Sequence, residues 1–482
     1  MRSAPLPRRR TVLGAAAMAT TSAALPHPAR AAAATGADRV PAAHAAAGLP
    51  SDAAVARQIR AEYLHSWEGY KLAAWGYDEV RPLSGGRNDF FARGHTFGLS
   101  IVEALDTLWL MEQDQEVELA ADWIEAHFDP AVDAEVQVFE AVIRLVGGLL
   151  AGHLCTGRPA LLARCRELAD RLLPAFTRSP SQLPYRYVNL RTGAVSGSVS
   201  PLAEVGTNLV EFGMLSRLTG DDRYWSAAKK AARAVVARRS SLGLLGTALD
   251  VESGRWTDTH AIEPNPPVDS FYEYLWAGGE LFDDAELRGW YRVLTNAVLK
   301  YQADRRDGRL WFRQVDFSTG KTTGHDQSEL ASFYAGLLGK GGDLDAGQAY
   351  YRSWTALLDQ YGLLPEQVDY AAGQVRSGRN DLRPEYANSA FDLWRLTGAD
   401  EYRQTAYRYF RAVRTEQRVS GGYTVAEDVT ASPVRLGDLT PGYWFAENLK
   451  YLYLMFAAAP RFDYRTGLLS TEGKLVRGAV RS

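Results

Sequence analysis

Cysteine is almost absent from this chain: Cys155 and Cys165 are the only two. They flank a Thr156-Gly157 turn, and Cys165 falls almost two helical turns beyond it, too far from Cys155 for a bridge. Two buried thiols are therefore expected. The pair is too sparse for a zinc site, and neither HExxH nor CxxC occurs. The eight histidines show no ligand spacing. A P-loop, a GxGxxG after a strand and a GxSxG elbow are all missing, which argues against nucleotide, dinucleotide and serine-hydrolase chemistry. Charge of one sign is lacking too, with 54 Lys and Arg against 57 Asp and Glu. Nothing in that balance invites nucleic acid or an anionic membrane surface. Beyond the N-terminal segment no apolar run is long and charge-free enough to suggest a membrane span. No Pro/Ser linker or charge block divides residues 50–474, so one large domain is expected.

The N-terminus reads as an export signal over residues 1–33. It has Arg8-Arg9-Arg10, a short apolar run from Val12 and a small-residue end at Ala29-Arg30-Ala31. The RRRTVLG text looks like a twin-arginine signal, implying a secreted protein exported after folding. Loss of its five arginines leaves 49 basic against 57 acidic residues, a net charge of −8. An Ala-rich segment, residues 34–50, is expected to be disordered, and residues 51–482 to form the single domain. A monomer is expected.

What the chain does have is a repeat. Seven times an acidic residue opens an apolar stretch that runs three to four turns into a Gly/Asp-type turn: Glu103, Glu140, Glu204, Asp269, Glu329, Glu385 and Glu447. After the first step the spacing is about sixty residues, and RLTGDDRYWSAAKKAAR and RLTGADEYRQTAYRYFR are nearly the same text. Amphipathic patterns follow the turns, around 118–128, 158–176, 221–239, 283–302, 345–361 and 399–413, and Ala56 to Trp75 supplies a seventh. Inner stretches such as FEAVIRLVGGLLAGHL are apolar almost all round. Seven apolar inner helices inside seven amphipathic outer ones make an all-α, double-walled (α/α)7 barrel. Long links between pairs contain hairpin-like text at 185–197 and 309–324, and would gather at the mouth where the seven acids point. A carboxylate-lined pocket of this kind suits metal-assisted sugar chemistry.

Three local texts around those acids are specific: FEAVIRLVGGLL (139–150), PVDSFYEYL (267–275) and LRPEYANSAFDLWRLTG (382–398). With HSWEGYKLAAWGYDEVRP, VEALDTLWLM, LAEVGTNLVEF, ENLKYLYLMF and STEG, in the same order over about 400 residues, the chain resembles glycoside hydrolase family 47, the class I α-1,2-mannosidases. The resemblance implies a bacterial, exported, inverting exo-mannosidase acting on mannose-containing oligosaccharides. It also implies a bound calcium ion and a C-terminal β-hairpin that plugs one end of the barrel.

Inversion needs one carboxylic acid for the departing oxygen and one carboxylate for water on the opposite face. By resemblance Glu140 is the general acid, Glu385 the general base and Asp269 the third essential carboxylate, whose exact role stays open. Arg383, two residues before Glu385, is expected to favour its ionised form. Arg144 lies one turn beyond Glu140 on the same face. Arg144, Glu204, Glu329, Arg383, Asn388, Tyr443 and Glu447 are expected to bind substrate. Thr471 matches the calcium-binding threonine, with Glu204, Glu447 and Glu472 holding the waters that complete the ion's shell.

The chain departs from the family pattern at Pro267, where arginine is common, at Asn388, where glutamate is usual, and at Glu329, where histidine is frequent. The alanine-histidine-proline ending after Thr471-Glu472 is also absent. Two other readings therefore stay open: an α-mannosidase of different linkage specificity, and a mannose-binding protein without turnover.

Overall fold

The computed structural model describes residues 49–463 and 466–477. The expected export signal, and all of the Ala-rich segment except Leu49 and Pro50, lie outside the described residues. From Leu49 onward the chain forms one compact unit.

Among the described residues the outer helices are Asp52–Ala74, Asp114–His127, Pro159–Leu172, Arg223–Val236, Ala285–Tyr301, Leu344–Tyr361 and Asp400–Glu416. The inner wall is Leu99–Leu110, Val138–Thr156, 202–219, Ser270–Leu281, 329–340, Glu385–Thr397 and 444–456. The last inner helix packs against the first, closing an (α/α)7 barrel. The outer helices are one-sided. Arg223–Val236 buries Tyr224, Ala228, Ala231, Ala232 and Val235, and exposes Lys230 and Arg233 on its other face.

Thr-Gly turns end three of the seven inner helices by one device. Gly157, Gly220 and Gly398 take φ of 73°, 71° and 68°, where only glycine is unstrained. The preceding Thr156, Thr219 and Thr397 each donate their hydroxyl to the carbonyl four residues back, at 2.7 Å. The same hydroxyls accept the N–H two residues on, at 3.1–3.3 Å. No disulfide joins Cys155 to Cys165; Cys165 is buried as expected, whereas Cys155 is only partly buried.

Each inner helix begins within about one turn of its acid, but four are less regular than apolar periodicity suggests. Ala141–Val146 and Trp444–Asn448 are π-helical, and Glu329–Phe333 is a 3₁₀ turn. The third inner helix breaks at Thr207-Asn208. The two π segments adjoin or contain Glu140 and Glu447, and an inserted π turn shifts the angular phase of the side chains that follow it. Close packing demands small residues here. A Cβ on Gly148 would lie 2.6 Å from Val102 Cγ1, and one on Gly206 would lie 2.0 Å from the Phe271 ring.

Contrary to the sequence expectation, Val138–Thr156 is long and apolar enough to cross a membrane. It is mostly buried as an inner wall of the barrel, which explains the composition without a bilayer.

The expected hairpins are present. Tyr187 pairs with Ser196 and Val188 with Val195, and a third strand, Glu135–Gln137, leads into the Glu140 helix. Within 309–324, Gln314 pairs with Gly324 and Val315 with Thr322. The C-terminal hairpin pairs Gly467–Leu469 with Leu475–Arg477. Its turn is locked among the inner helices. Lys474 Nζ donates to the carbonyl and Oε2 of Glu103, both at 3.0 Å. Lys450 Nζ donates to Asp106 Oδ2 at 2.8 Å and to the Gly473 carbonyl at 2.5 Å. The Leu475 N–H also reaches Asp106 Oδ2, at 2.8 Å.

The same wall holds Glu211, buried, with Tyr274 Oη donating to its Oε1 at 2.6 Å. Burial pushes its carboxyl up to about 8 from 4.5. The folded state thus keeps this proton longer than the unfolded chain does. The stability it contributes is full below pH 4.5 and lost as pH rises toward 8. Glu211→Gln is expected to match the wild type near pH 4.5 and to gain on it by on the order of 1 kcal/mol per pH unit up to about pH 8. Chemical denaturation at several pH values checks this, and a pH-independent offset contradicts it.

Candidate active site

A cavity of about 370 Å³ lies within the barrel, with Thr471 and Glu472 of the hairpin turn at its inner end. Five of the seven helix-start acids line it: Glu140, Glu204, Asp269, Glu385 and Glu447. Arg144, Arg383, Asn388 and Tyr443 line it too. Glu103 and Glu329 do not. Glu103 is buried beneath Lys474, and Glu329 is fully buried, accepting from Asn380 Nδ2 at 3.1 Å. Expected to contact substrate, Glu329 instead stands behind the wall, and burial holds its carboxyl well above the usual range.

Glu140 enters where the strand Glu135–Gln137 becomes helix, an entry fixed by the Val138 N–H donating to the Arg186 carbonyl at 2.9 Å. Arg144, one turn on, donates Nε to Glu140 Oε2 at 2.6 Å and Nη1 to Glu472 Oε2 at 2.8 Å. One guanidinium therefore joins the candidate acid to the hairpin turn. Asp269 caps the fourth inner helix, its Oδ1 accepting the Ser270 N–H at 3.0 Å. Burial pushes its carboxyl up to about 6, against the pull of that N–H and of Arg383.

Glu385 is the first residue of the sixth inner helix, and its Oε2 is buried without a hydrogen bond among the described residues. The charge of Arg383 favours the ionised form of Glu385, as expected from the sequence, but no hydrogen bond joins the two among the described residues. The guanidinium is forked onto Glu366, with Nη2–Oε1 at 3.1 Å and Nε–Oε2 at 3.2 Å. Burial outweighs the remaining attraction and pushes Glu385 up to about 7. Tyr443 lies between the arginines, its ring 5.6 Å from the guanidinium of Arg144 and from that of Arg383, while its hydroxyl donates to the Asp381 carbonyl.

At the inner end carboxyl groups crowd together, and burial favours their neutral forms. Burial, then the neighbouring Glu472 and Glu385, hold Glu447 well above the carboxylate range. Burial also pushes Glu472 up to about 8, against the charge of Arg144. Among the described residues, no three His, Cys, Asp or Glu side chains are grouped to chelate an ion directly. A donor set of Thr471 oxygens with water-bridged carboxylates fits this arrangement. Glu204, Glu447 and Glu472 share the cavity lining with Thr471, a residue that can offer a hydroxyl and a carbonyl.

A family model described as glycosyl hydrolase family 47 matches residues 62–478. The chain belongs to glycosyl hydrolase family 47. It is 31% identical over 426 residues to Alpha-mannosidase I MNS5 of Arabidopsis thaliana, covering 83% of this chain and 73% of that protein. It is also 31% identical over 452 residues to mannosyl-oligosaccharide 1,2-alpha-mannosidase IA of Sus scrofa, covering 88% and 68%. The solved alpha-1,2-mannosidase from Trichoderma reesei superposes with a TM-score of 0.81 at 25% identity, over 90% of this chain and all of that one.

Within this family 47 glycosidase the sequence analysis missed several cavity residues, among them Gln137, Arg186, Pro266 and Glu273, and the arginine partner Glu366. Glu273 lies one turn after Asp269 in a stretch already singled out, so helical spacing points to it. It is buried, and burial pushes its carboxyl up, against the charge of Lys340. Arg186 lies in the expected hairpin text. Glu366 carries no local signal, because only the tertiary fold brings it to Arg383.

Proposed function

We propose that this glycosidase is an exo-acting, inverting α-mannosidase that hydrolyses terminal α-1,2-linked mannose from oligosaccharides, with calcium as its resident ion. The observation that carries this reading is the convergence of Glu140, Asp269 and Glu385 on one cavity whose inner end is the Thr471-Glu472 turn. A cavity closed by a hairpin accepts a chain end rather than a threaded polymer, which favours exo action. In this reading Glu140, oriented by Arg144, delivers the proton to the departing oxygen. Glu385 takes a proton from the attacking water, and a carboxyl poised near neutrality suits that task. Asp269 supplies electrostatic support as positive charge develops on the sugar ring. Thr471 would hold calcium through its oxygens, with Glu204, Glu447 and Glu472 steadying its waters; the ion supplies orientation of the sugar hydroxyls. Export by the twin-arginine route and a monomeric state complete the proposal.

The experiment is release of free mannose from α-1,2-, α-1,3- and α-1,6-linked mannobiosides. Preference for the α-1,2 linkage is expected. Preference for another linkage, or binding without turnover, rejects the assignment. Exhaustive chelation is expected to lower activity, and calcium to restore it better than magnesium, which prefers a tight octahedron and dehydrates reluctantly. Thr471→Ala keeps the carbonyl ligand and loses the hydroxyl, so it is expected to raise the calcium concentration needed for half-maximal activity. Full activity in protein shown metal-free by elemental analysis contradicts the calcium assignment.

A further inference from the structure

Three basic side chains line the cavity: Arg144, Arg186 and Arg383. Two are engaged and sheltered. Arg144 serves Glu140 and Glu472 at 10% side-chain exposure, and Arg383 serves Glu366 at 20%. Arg186 differs. Its Nε and Nη2 grip Glu204 in a side-on fork at 2.8–3.1 Å, yet the side chain is 36% exposed. A guanidinium carries five N–H donors, and the fork engages only Nε and Nη2. Nη1 makes no hydrogen bond among the described residues.

The position of this guanidinium is built rather than incidental. The Arg186 N–H donates to the Gly197 carbonyl at 3.1 Å, and its carbonyl accepts the Val138 N–H where the Glu140 helix begins. Gly197, at φ 74°, makes the approach possible, since a Cβ there would lie 2.8 Å from Arg186 Cβ. The Tyr187 ring lies 5.4 Å from the guanidinium. Nearby, Pro266 and Pro267 have no N–H to offer, and the Pro267 carbonyl is taken by the Ala203 N–H at 3.0 Å. A polar ligand in this part of the cavity finds its charged donor at Arg186.

We propose that Arg186 is a specificity-determining residue that donates from its free guanidinium edge to hydroxyls of the leaving sugar. This rests on the mannosidase reading above. There the terminal mannose occupies the inner end beside Thr471, and the glycosidic oxygen lies at Glu140. The more exposed residue tied to the start of the Glu140 helix then faces the sugar beyond that oxygen. The ligand class is a hexose with free ring hydroxyls, linked through its own hydroxyl to the terminal mannose.

The test uses a methyl α-1,2-mannobioside and its analogues deoxygenated singly at positions 3, 4 or 6 of the leaving sugar, with wild type, Arg186→Ala and Arg186→Lys. In the wild type at least one deoxygenation is expected to lower kcat/KM about tenfold, the effect of losing a hydrogen bond to a charged donor. Arg186→Ala is expected to be about tenfold slower on the parent, mainly through KM, and nearly indifferent to that same deoxygenation. Arg186→Lys keeps a cation beside Glu204 but loses the planar fork, so it is expected to show a reduced penalty for that deoxygenation. Equal deoxygenation penalties in wild type and both variants would show that Arg186 only supports Glu204, and would overturn the proposal, as would a wild type indifferent to all three. A wild type that releases no mannose from the parent rejects the mannosidase reading itself, and is seen before any variant is made.

Discussion

Glu140→Gln and Glu385→Gln are each expected to lower kcat by about two to four orders of magnitude, the usual worth of a positioned acid or base. Glutamine keeps the volume of either side chain and cannot exchange a proton. The folded state has no reason to fail in either variant. Glu385 Oε2 has no hydrogen-bond partner among the described residues, and burial disfavours its ionised form, so a neutral amide removes a desolvation cost. In the Glu140 variant Arg144 keeps Glu472. Turnover on a mannobioside, read beside the thermal midpoint, separates the two effects. Near-wild-type kcat in both variants would remove these residues from the chemistry. A loss of kcat accompanied by a collapse of the midpoint would assign them to the fold instead.

The second large effect concerns stability. Asp106→Ala is expected to destabilise the barrel by about 3–5 kcal/mol, the cost of stranding a buried charge. Lys450 and Asp106 are almost completely buried, at 0% and 1% side-chain exposure, and the same carboxylate oxygen accepts the Leu475 N–H of the hairpin. Removing Asp106 therefore strands the ammonium and frees the plug in one step. Pairing Lys450→Met with Asp106→Leu is expected to recover most of the loss, because a buried pair replaced together by apolar groups is close to neutral. Urea denaturation of the single and double variants measures this. A loss below about 1 kcal/mol in Asp106→Ala would show that the pair is not isolated from water.

The barrel was legible because its signal is local and repeated. Acid, apolar run and Gly/Asp-type turn can each be read from a few neighbouring residues, and seven repeats fix the count. The cavity lining was legible wherever a lining residue lies within a turn of a helix-start acid, as Arg144 and Asn388 do. It became obscure where the partner comes from elsewhere in the chain. Arg383 looked like the partner of Glu385 from two residues away, yet its guanidinium is held by Glu366. Glu329 follows the same acid pattern as its neighbours, but its helix starts with a 3₁₀ turn and the carboxylate ends against Asn380, outside the cavity. The acid pattern locates the start of an inner helix; whether the side chain meets the cavity depends on partners from elsewhere in the chain, Lys474 for Glu103 and Asn380 for Glu329. Lys474 shows a further limit, since a charged residue in hairpin text reads as solvated, and here it is buried against Glu103.

The central claim is that Glu140 and Glu385 act together as an inverting pair on a terminal α-mannoside. The most direct measurement is proton NMR of the anomeric region during the first minutes of hydrolysis of an α-1,2-mannobioside by the wild-type protein. The account predicts that β-mannose appears first and that α-mannose grows in only at the rate of spontaneous mutarotation. Initial release of α-mannose would contradict it, because retention requires a carboxylate to form a covalent bond to the sugar rather than to activate water.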